Sequence, residues 1–262
     1  MEKLKKYAVV TGASSGIGWH ISKELAMKGY SIVAVSNQAE QLKELKNKLE
    51  TEYSIEVLTI DCDLSQKEAA GNIFKFCQEQ KLEVEVLVNN AGILVYGEVV
   101  NVPVKRAETI LQLHMNTPAI LCRLFAELMV KNKKGFILNV SSISAVMPYP
   151  TISLYGPTKT FLRQFSRALR TELKGTGVSV LCLLPGATAT ALYDQNKVNV
   201  PLATKLGVMK KPEYVAKVGV SRLLRGKGES VPGFLNKIIM LIVPWVPNFI
   251  IRIIYKISLR KR

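Results

Sequence analysis

Short aliphatic, β-branched runs recur along this chain at a spacing that excludes hairpins. YAVVTG (7–12), SIVAVS (31–36), IEVLTID (55–61), VEVLVNN (84–90), GFILNVSS (135–142) and VSVLCLLPG (178–186) are each followed, before the next, by ten or more residues of helical pattern. WHISKELAMKG places Ile21 and Leu25 one turn apart and stops at Gly29, and QAEQLKELKNKLETEY carries Leu42, Leu45 and Leu49 on one stripe. A strand that is apolar at consecutive positions is covered on both faces, and strands joined through helices run parallel. The expected fold class is therefore α/β, a doubly wound parallel sheet with helices on both sides. No repeat, low-complexity tract or linker divides residues 1–230, but the pattern changes from ESVPGF (229–234) onward. The expected organisation is one domain over 1–230 and a basic amphipathic extension over 231–262.

At 262 residues, 48% of them hydrophobic, the chain can bury a full core and is not a disordered polymer. Its net charge of +16 is unevenly placed: residues 197–262 hold 14 Lys+Arg against 2 Asp+Glu. Charge of that kind suits an anionic membrane, nucleic acid or an acidic substrate, and does not by itself choose among them. Cys62, Cys77, Cys122 and Cys182 follow no metal or redox spacing and read as reduced core thiols of an intracellular protein. His20 and His114 are too few and too separated for a metal site, so no metal is expected. The apolar run after the basic N-terminus is too short for a signal-peptide core, which gives a cytoplasmic expectation.

TGASSGIG (11–18) follows a strand and opens a helix. That is the context of a phosphate-binding turn, in which glycines let the backbone approach and the helix N-terminus supplies unpaired amides. LYGPTKTF (154–161) sets Tyr155 and Lys159 four residues apart, one helical turn, on one face. Pro157 between them is tolerated only near a helix start, so the helix is expected to begin close to Tyr155, with Ser153 as its cap.

Taken in order, TGASSGIG, Asp63 with Leu64, NNAG (89–92), Asn116, Ser142, Tyr155 with Lys159, and PGATAT (185–190) resemble the motif series of the short-chain dehydrogenase/reductase family, over residues 6 to about 230. The resemblance implies a Rossmann fold and a nicotinamide cofactor. It implies that Gly12, Gly16 and Gly18 line the pyrophosphate, with Ser14, Ser15 and Ile17 in the same loop. It places Asp63 and Leu64 at the adenine, Asn90 at the central strand and nearby ribose with Ile93 in the loop beside it, and Thr190 near the nicotinamide carboxamide, and it counts Ala91, Gly92, Pro185, Gly186 and Thr188 among the cofactor-binding residues. At the end of the second strand a carboxylate would accept ribose hydroxyls and a cation would hold a 2′-phosphate. Here stand Ser36 and Asn37, so NADP is favoured, with NAD kept as the alternative because no arginine follows.

A free phenol, with a pKa of roughly 10, is a poor base at neutral pH, and a lysine one turn away favours its ionised form. The resemblance gives Tyr155 the role of proton donor, Lys159 those of cofactor orienter and tuner, and Ser142 that of holding the substrate oxygen, with Ser141 as its rival. It gives Asn116 the support of a water path to Lys159. The implied reaction is hydride transfer between nicotinamide and a carbonyl or secondary alcohol. The alternative is a cofactor-binding regulator or scaffold without turnover.

ATALYDQNKVNVPLATKLGVMKK (189–211) is the expected substrate lid, its small apolar residues suited to a hydrophobic substrate such as a 3-oxoacyl chain, a long-chain ketone or a steroid-like ring. The apolar run 238–251 is too short to span a bilayer and is broken by Pro244 and Pro247. Beyond it Arg252, Lys256 and Arg260 fall on one helical face and Ile250, Ile251, Ile253, Ile254 and Ile257 on the other. Residues 232–262 therefore suit peripheral membrane contact, with Trp245 and Tyr255 at headgroup depth, or packing within a homo-oligomer. Nucleic acid is not expected, since the charges are paired with aliphatic bulk instead of a stacking platform.

Overall fold

The computed structural model describes residues 5–190 and 209–259. Its strands are β1 (Lys6–Thr11), β2 (Ser31–Ser36), β3 (Val57–Asp61), β4 (Glu83–Asn89), β5 (Gly135–Val140), β6 (Val178–Leu183) and β7 (Glu229–Ser230). They form one parallel sheet in the order β3-β2-β1-β4-β5-β6-β7. The first six match the six apolar runs; β7, two residues long, carries too little pattern to be read. Winding reverses between β1 and β4, and in open sheets of this kind ligands bind in the crevice beyond the strand C-termini at that reversal.

Successive strand residues feed opposite cores. Val10, Ala34, Val88 and Leu138 pack under α1 (Gly16–Ala26), α2 (Ala39–Glu52) and, later in the chain, α7 (Pro212–Leu224). Val9, Val35, Leu87 and Ile137 pack under α3 (Ala69–Glu79), α5 (Thr117–Lys131) and α6 (Tyr155–Glu172). The charged helix α2 is held down by Leu42, Leu45 and Leu49, all fully buried, at about 2 kcal/mol each. Cys77, Cys122 and Cys182 are buried free thiols and Cys62 is partly buried.

Two local departures from regular helix position the site. The first follows α4 (Val104–Leu111), where the chain widens into a π-helical turn over Gln112–Asn116 before α5. There the Thr117 amide bonds back to the Gln112 carbonyl, five residues away. Pro118 has no amide hydrogen to continue the ordinary ladder, which favours the wider turn. The extra residue rotates every side chain before it relative to α5.

The second is the start of α6, which begins at Tyr155, with Pro157 in the first turn where a missing amide hydrogen costs little. The capping position belongs to Leu154, not Ser153, and no side chain caps it. Leu154 enters in helical geometry, and the Gly156 amide is already satisfied by the Ile152 carbonyl at 2.8 Å.

After β7 the chain forms α8 (Phe234–Ile242) and α9 (Asn248–Leu259). Buried Asn236 moors α8 beside Gly186, while Met240 and Val231 pack on Ala145, Cys182 and Leu184. The Tyr255 hydroxyl bonds to the Glu98 carboxylate, tying α9 to the segment after β4. The outer face stays bare: Phe234, Leu241, Trp245 and Phe249 are each more than 60% exposed. Among the described residues no helix is long and apolar enough to cross a membrane.

Candidate active site

A cleft of about 710 Å³ opens at the C-terminal edge of the sheet over the β1/β4 reversal. Of the residues expected from sequence it gathers Gly12, Ser14, Ser15, Gly16, Ile17, Ser36, Asn37, Asp63, Leu64, Asn90, Ala91, Gly92, Ser142, Tyr155, Lys159, Pro185, Gly186, Thr188 and Thr190. Gly18 and Asn116 are not among its walls. A Cβ on Gly18 would sit 2.1 Å from the Gly12 carbonyl oxygen, so this glycine lets α1 lie against the turn instead of facing a ligand. Asn116 is exposed, its amide donating to Gln112 Oε1 at 2.9 Å. The π-helical turn aims it outward and aims His114 inward. Of the expected lid, residues 191–208 lie outside the described residues, as does Arg260.

The glycine turn is built for backbone approach. Gly12 has φ +64°, and a Cβ there would meet Ala91 Cα at 2.8 Å; Gly16 has φ +55°. Asn90 stitches the turn to β4, its amide group donating to the carbonyls of Thr11 at 3.0 Å and Gly12 at 3.2 Å. Such an open cradle at the N-terminus of α1 fits a pyrophosphate.

At the end of β2, Ser14 Oγ donates to Gln38 Oε1 at 2.7 Å, so its 2.8 Å contact with Ser36 Oγ uses the Ser36 hydrogen. Ser36 is buried and its hydroxyl is committed inside the protein, whereas Asn37 is exposed toward the cleft. Two cations that sequence reading missed, Lys105 and Arg106 at the start of α4, also line the cleft. The Asp63 carboxylate turns back on its own loop, accepting from the Ser65 amide and hydroxyl and from Gln66, which holds its pKa below the usual carboxylate value.

At the other end Tyr155 and Lys159 stand on one face of α6, with the Lys159 ammonium 5.6 Å from the phenol ring centroid. Lys159 is 4% exposed and donates to the Val140 carbonyl at 3.2 Å. Burial pushes its pKa down to about 8, with only slight opposition from the Cys182 thiol. Ser141 is buried and donates to the Lys159 carbonyl at 2.7 Å. Ser142 is partly exposed, with its oxygen accepting the Ser144 amide at 3.1 Å, and among the described residues no acceptor takes its own hydrogen. Of the two, Ser141 spends its hydrogen inside the protein.

His114, set aside in the sequence as no metal ligand, packs edge-on against Tyr155 with ring centroids 5.6 Å apart at 73°. The signal that could have found it is Thr117–Pro118, which marks a break in helical register just downstream.

The chain's residues 6–199 match the family model described as short chain dehydrogenase. This chain belongs to the short-chain dehydrogenase family. It is 37% identical over 194 residues to very-long-chain 3-oxoacyl-CoA reductase-A of Danio rerio, covering 72% of this chain and 60% of that protein. It is 34% identical over 241 residues to the Danio rerio reductase-B, covering 90% and 74%. The matched part thus spans about three fifths to three quarters of these relatives' length. A solved short-chain dehydrogenase from Sphingobium yanoikuyae, in complex with NADPH, superposes with TM-score 0.80 at 26% identity, covering 88% of this chain and 89% of that one.

Proposed function

We propose that this protein is an NADP(H)-dependent oxidoreductase that interconverts a carbonyl and a secondary alcohol on a hydrophobic substrate, with long-chain 3-oxoacyl thioesters as the first class to test. The observation that carries this reading is the convergence of Ser142, Tyr155 and Lys159 on one wall of a cleft whose opposite end has a glycine cradle. The names of the Danio rerio relatives support the substrate class. A steroid-like ring is the second choice, supported by 29% identity over 243 residues to human 17-beta-hydroxysteroid dehydrogenase type 3.

Gly12, Gly16 and the start of α1 would hold the pyrophosphate, and Asp63 and Leu64 would flank the adenine. NADP is favoured over NAD because neither Ser36 nor Asn37 carries a charge to repel a 2′-phosphate, while Lys105 and Arg106 bring two cations to the cleft. When bound, the reduced nicotinamide supplies hydride to the carbonyl carbon. Tyr155 delivers its phenolic proton to the carbonyl oxygen, which completes the alcohol. Ser142 donates a hydrogen bond to the same oxygen as charge develops there. The buried Lys159 ammonium stabilises the phenolate left behind. Nicotinamide absorbance, followed with a panel of acyl, ketone and steroid carbonyls, tests the reading. Consumption of NADPH in preference to NADH supports it; cofactor-induced thermal stabilisation without turnover on any carbonyl would instead support a regulator.

The C-terminal segment 231–262 is proposed to lie on an anionic lipid surface. Its exposed apolar residues are accompanied by exposed Lys237, Arg252 and Lys256, and the side chains from 231 to 262 include no carboxylate. A two-fold contact between copies would set like charges against like, whereas acidic headgroups complement them. Deletion of 232–262 is expected to abolish co-sedimentation with phosphatidylserine vesicles. Vesicle binding that survives deletion, or a dimer that disappears on deletion while vesicles never bind, contradicts it.

A further inference from the structure

We infer that His114 is a positioning residue: its imidazole ties the loop after β4 to the first turn of α6 and thereby sets the Tyr155 ring against the Lys159 ammonium. The inference deepens the proposed function and rests on Tyr155 being its proton donor.

The hydrogen bonds run in one direction only. His114 Nε2 lies 3.0 Å from the Ile93 backbone nitrogen and accepts its hydrogen, so the neutral ring carries its own hydrogen on Nδ1. Nδ1 lies 3.0 Å from Thr158 Oγ1, and that hydroxyl donates onward to the Tyr155 carbonyl at 2.8 Å. Thr158 is 1% exposed and sits between Tyr155 and Lys159 on α6. The ring thus joins the loop, the π-helical turn and α6, and each of these borders the cleft.

The space around Nε2 shows how little play exists. A Cβ placed on Gly92 would lie 2.9 Å from His114 Nε2 and 3.6 Å from Lys159 Nζ, so loop, imidazole and ammonium are in close packing. Among the described residues the titratable groups facing the ring are Tyr155, edge-on, and Lys159, across Gly92. Burial and the Lys159 charge hold the imidazole pKa well below its ordinary value. Both ring nitrogens are engaged and the residue is 1% exposed, so the group cannot pass protons to solvent without breaking these bonds. Its effect on the reaction is transmitted through where the phenol stands.

The test uses His114→Phe, which keeps a planar ring but loses both nitrogen contacts, and Thr158→Val, which keeps the shape of the relay residue and loses its hydroxyl. Both are expected to lower kcat about 10²-fold with little change in cofactor Kd, the loss typical of a misplaced reacting group. In the cofactor-free protein, the near-ultraviolet circular dichroism band of Tyr155 is isolated by difference against Tyr155→Phe. It should weaken in both variants as the phenol loses its fixed setting beside the imidazole and Lys159. His114→Asn, whose amide can still donate toward Thr158, should recover part of both effects. An unchanged Tyr155 band, or a kcat loss that matches the unfolded fraction seen in the far ultraviolet, overturns the inference. If the wild-type protein turns over no carbonyl, the proposed function fails, and the Tyr155 band still decides the role of His114.

Discussion

Tyr155→Phe is expected to lower kcat by about 10³-fold while leaving the NADPH-induced rise in Tm nearly intact. The substitution removes one oxygen from the first turn of α6 and leaves the glycine cradle, Asn90 and Lys159 where they are. Binding energy at the far end of the cleft is untouched, but the substrate oxygen loses its proton source. Ser142 can still donate a hydrogen bond, which lowers the barrier without completing the alcohol. A variant that keeps a tenth or more of the wild-type kcat would show that another group, or solvent, supplies the proton.

Lys159→Met is expected to separate stability from activity. An ammonium 4% exposed, with a pKa lowered from 10.5 to about 8, is disfavoured in the folded state. The shift corresponds to about 3 kcal/mol at neutral pH. Methionine fills similar space without the charge, at the loss of the bond to the Val140 carbonyl, worth about 1 kcal/mol. The cofactor-free variant should therefore be more stable than the wild type by about 2 kcal/mol at pH 7, with turnover lost.

The pH dependence has a definite sign. Between about pH 8 and 10.5 the unfolded lysine holds its proton and the folded one does not, so wild-type stability rises with pH through that window. The advantage of the variant should shrink across the same window. Urea denaturation at pH 7 and pH 10 measures both effects, and a variant less stable than the wild type at pH 7 would mean that the charge is compensated in the folded protein.

The fold was legible because β1 to β6 each centre on an aliphatic, β-branched stretch, and the helices between them announce their buried stripes, as Leu42, Leu45 and Leu49 do. The cofactor end of the cleft was legible because glycine has few alternatives where φ is positive, as at Gly12 and Gly16. Legibility failed where one residue of backbone register changes which side chain points inward. The π-helical turn before Pro118 sends Asn116 to solvent and His114 to Tyr155, and motif order cannot carry that offset. Lys105 and Arg106 were missed for a different reason: they reach the cleft from a helix distant in sequence from the β2 end, where a phosphate partner was sought. Ser141 and Ser142 are adjacent and chemically identical; the motif spacing favours Ser142, and in the structure the Lys159 carbonyl takes the Ser141 hydrogen.

The most direct measurement follows the label from NADPH deuterated at the transferable nicotinamide position into a long-chain 3-oxoacyl thioester, read by mass spectrometry. One deuterium at the former carbonyl carbon, with none transferred by Tyr155→Phe on the same timescale, is the predicted result. Deuterium found elsewhere in the product, or label transfer undiminished without the phenol, would contradict it.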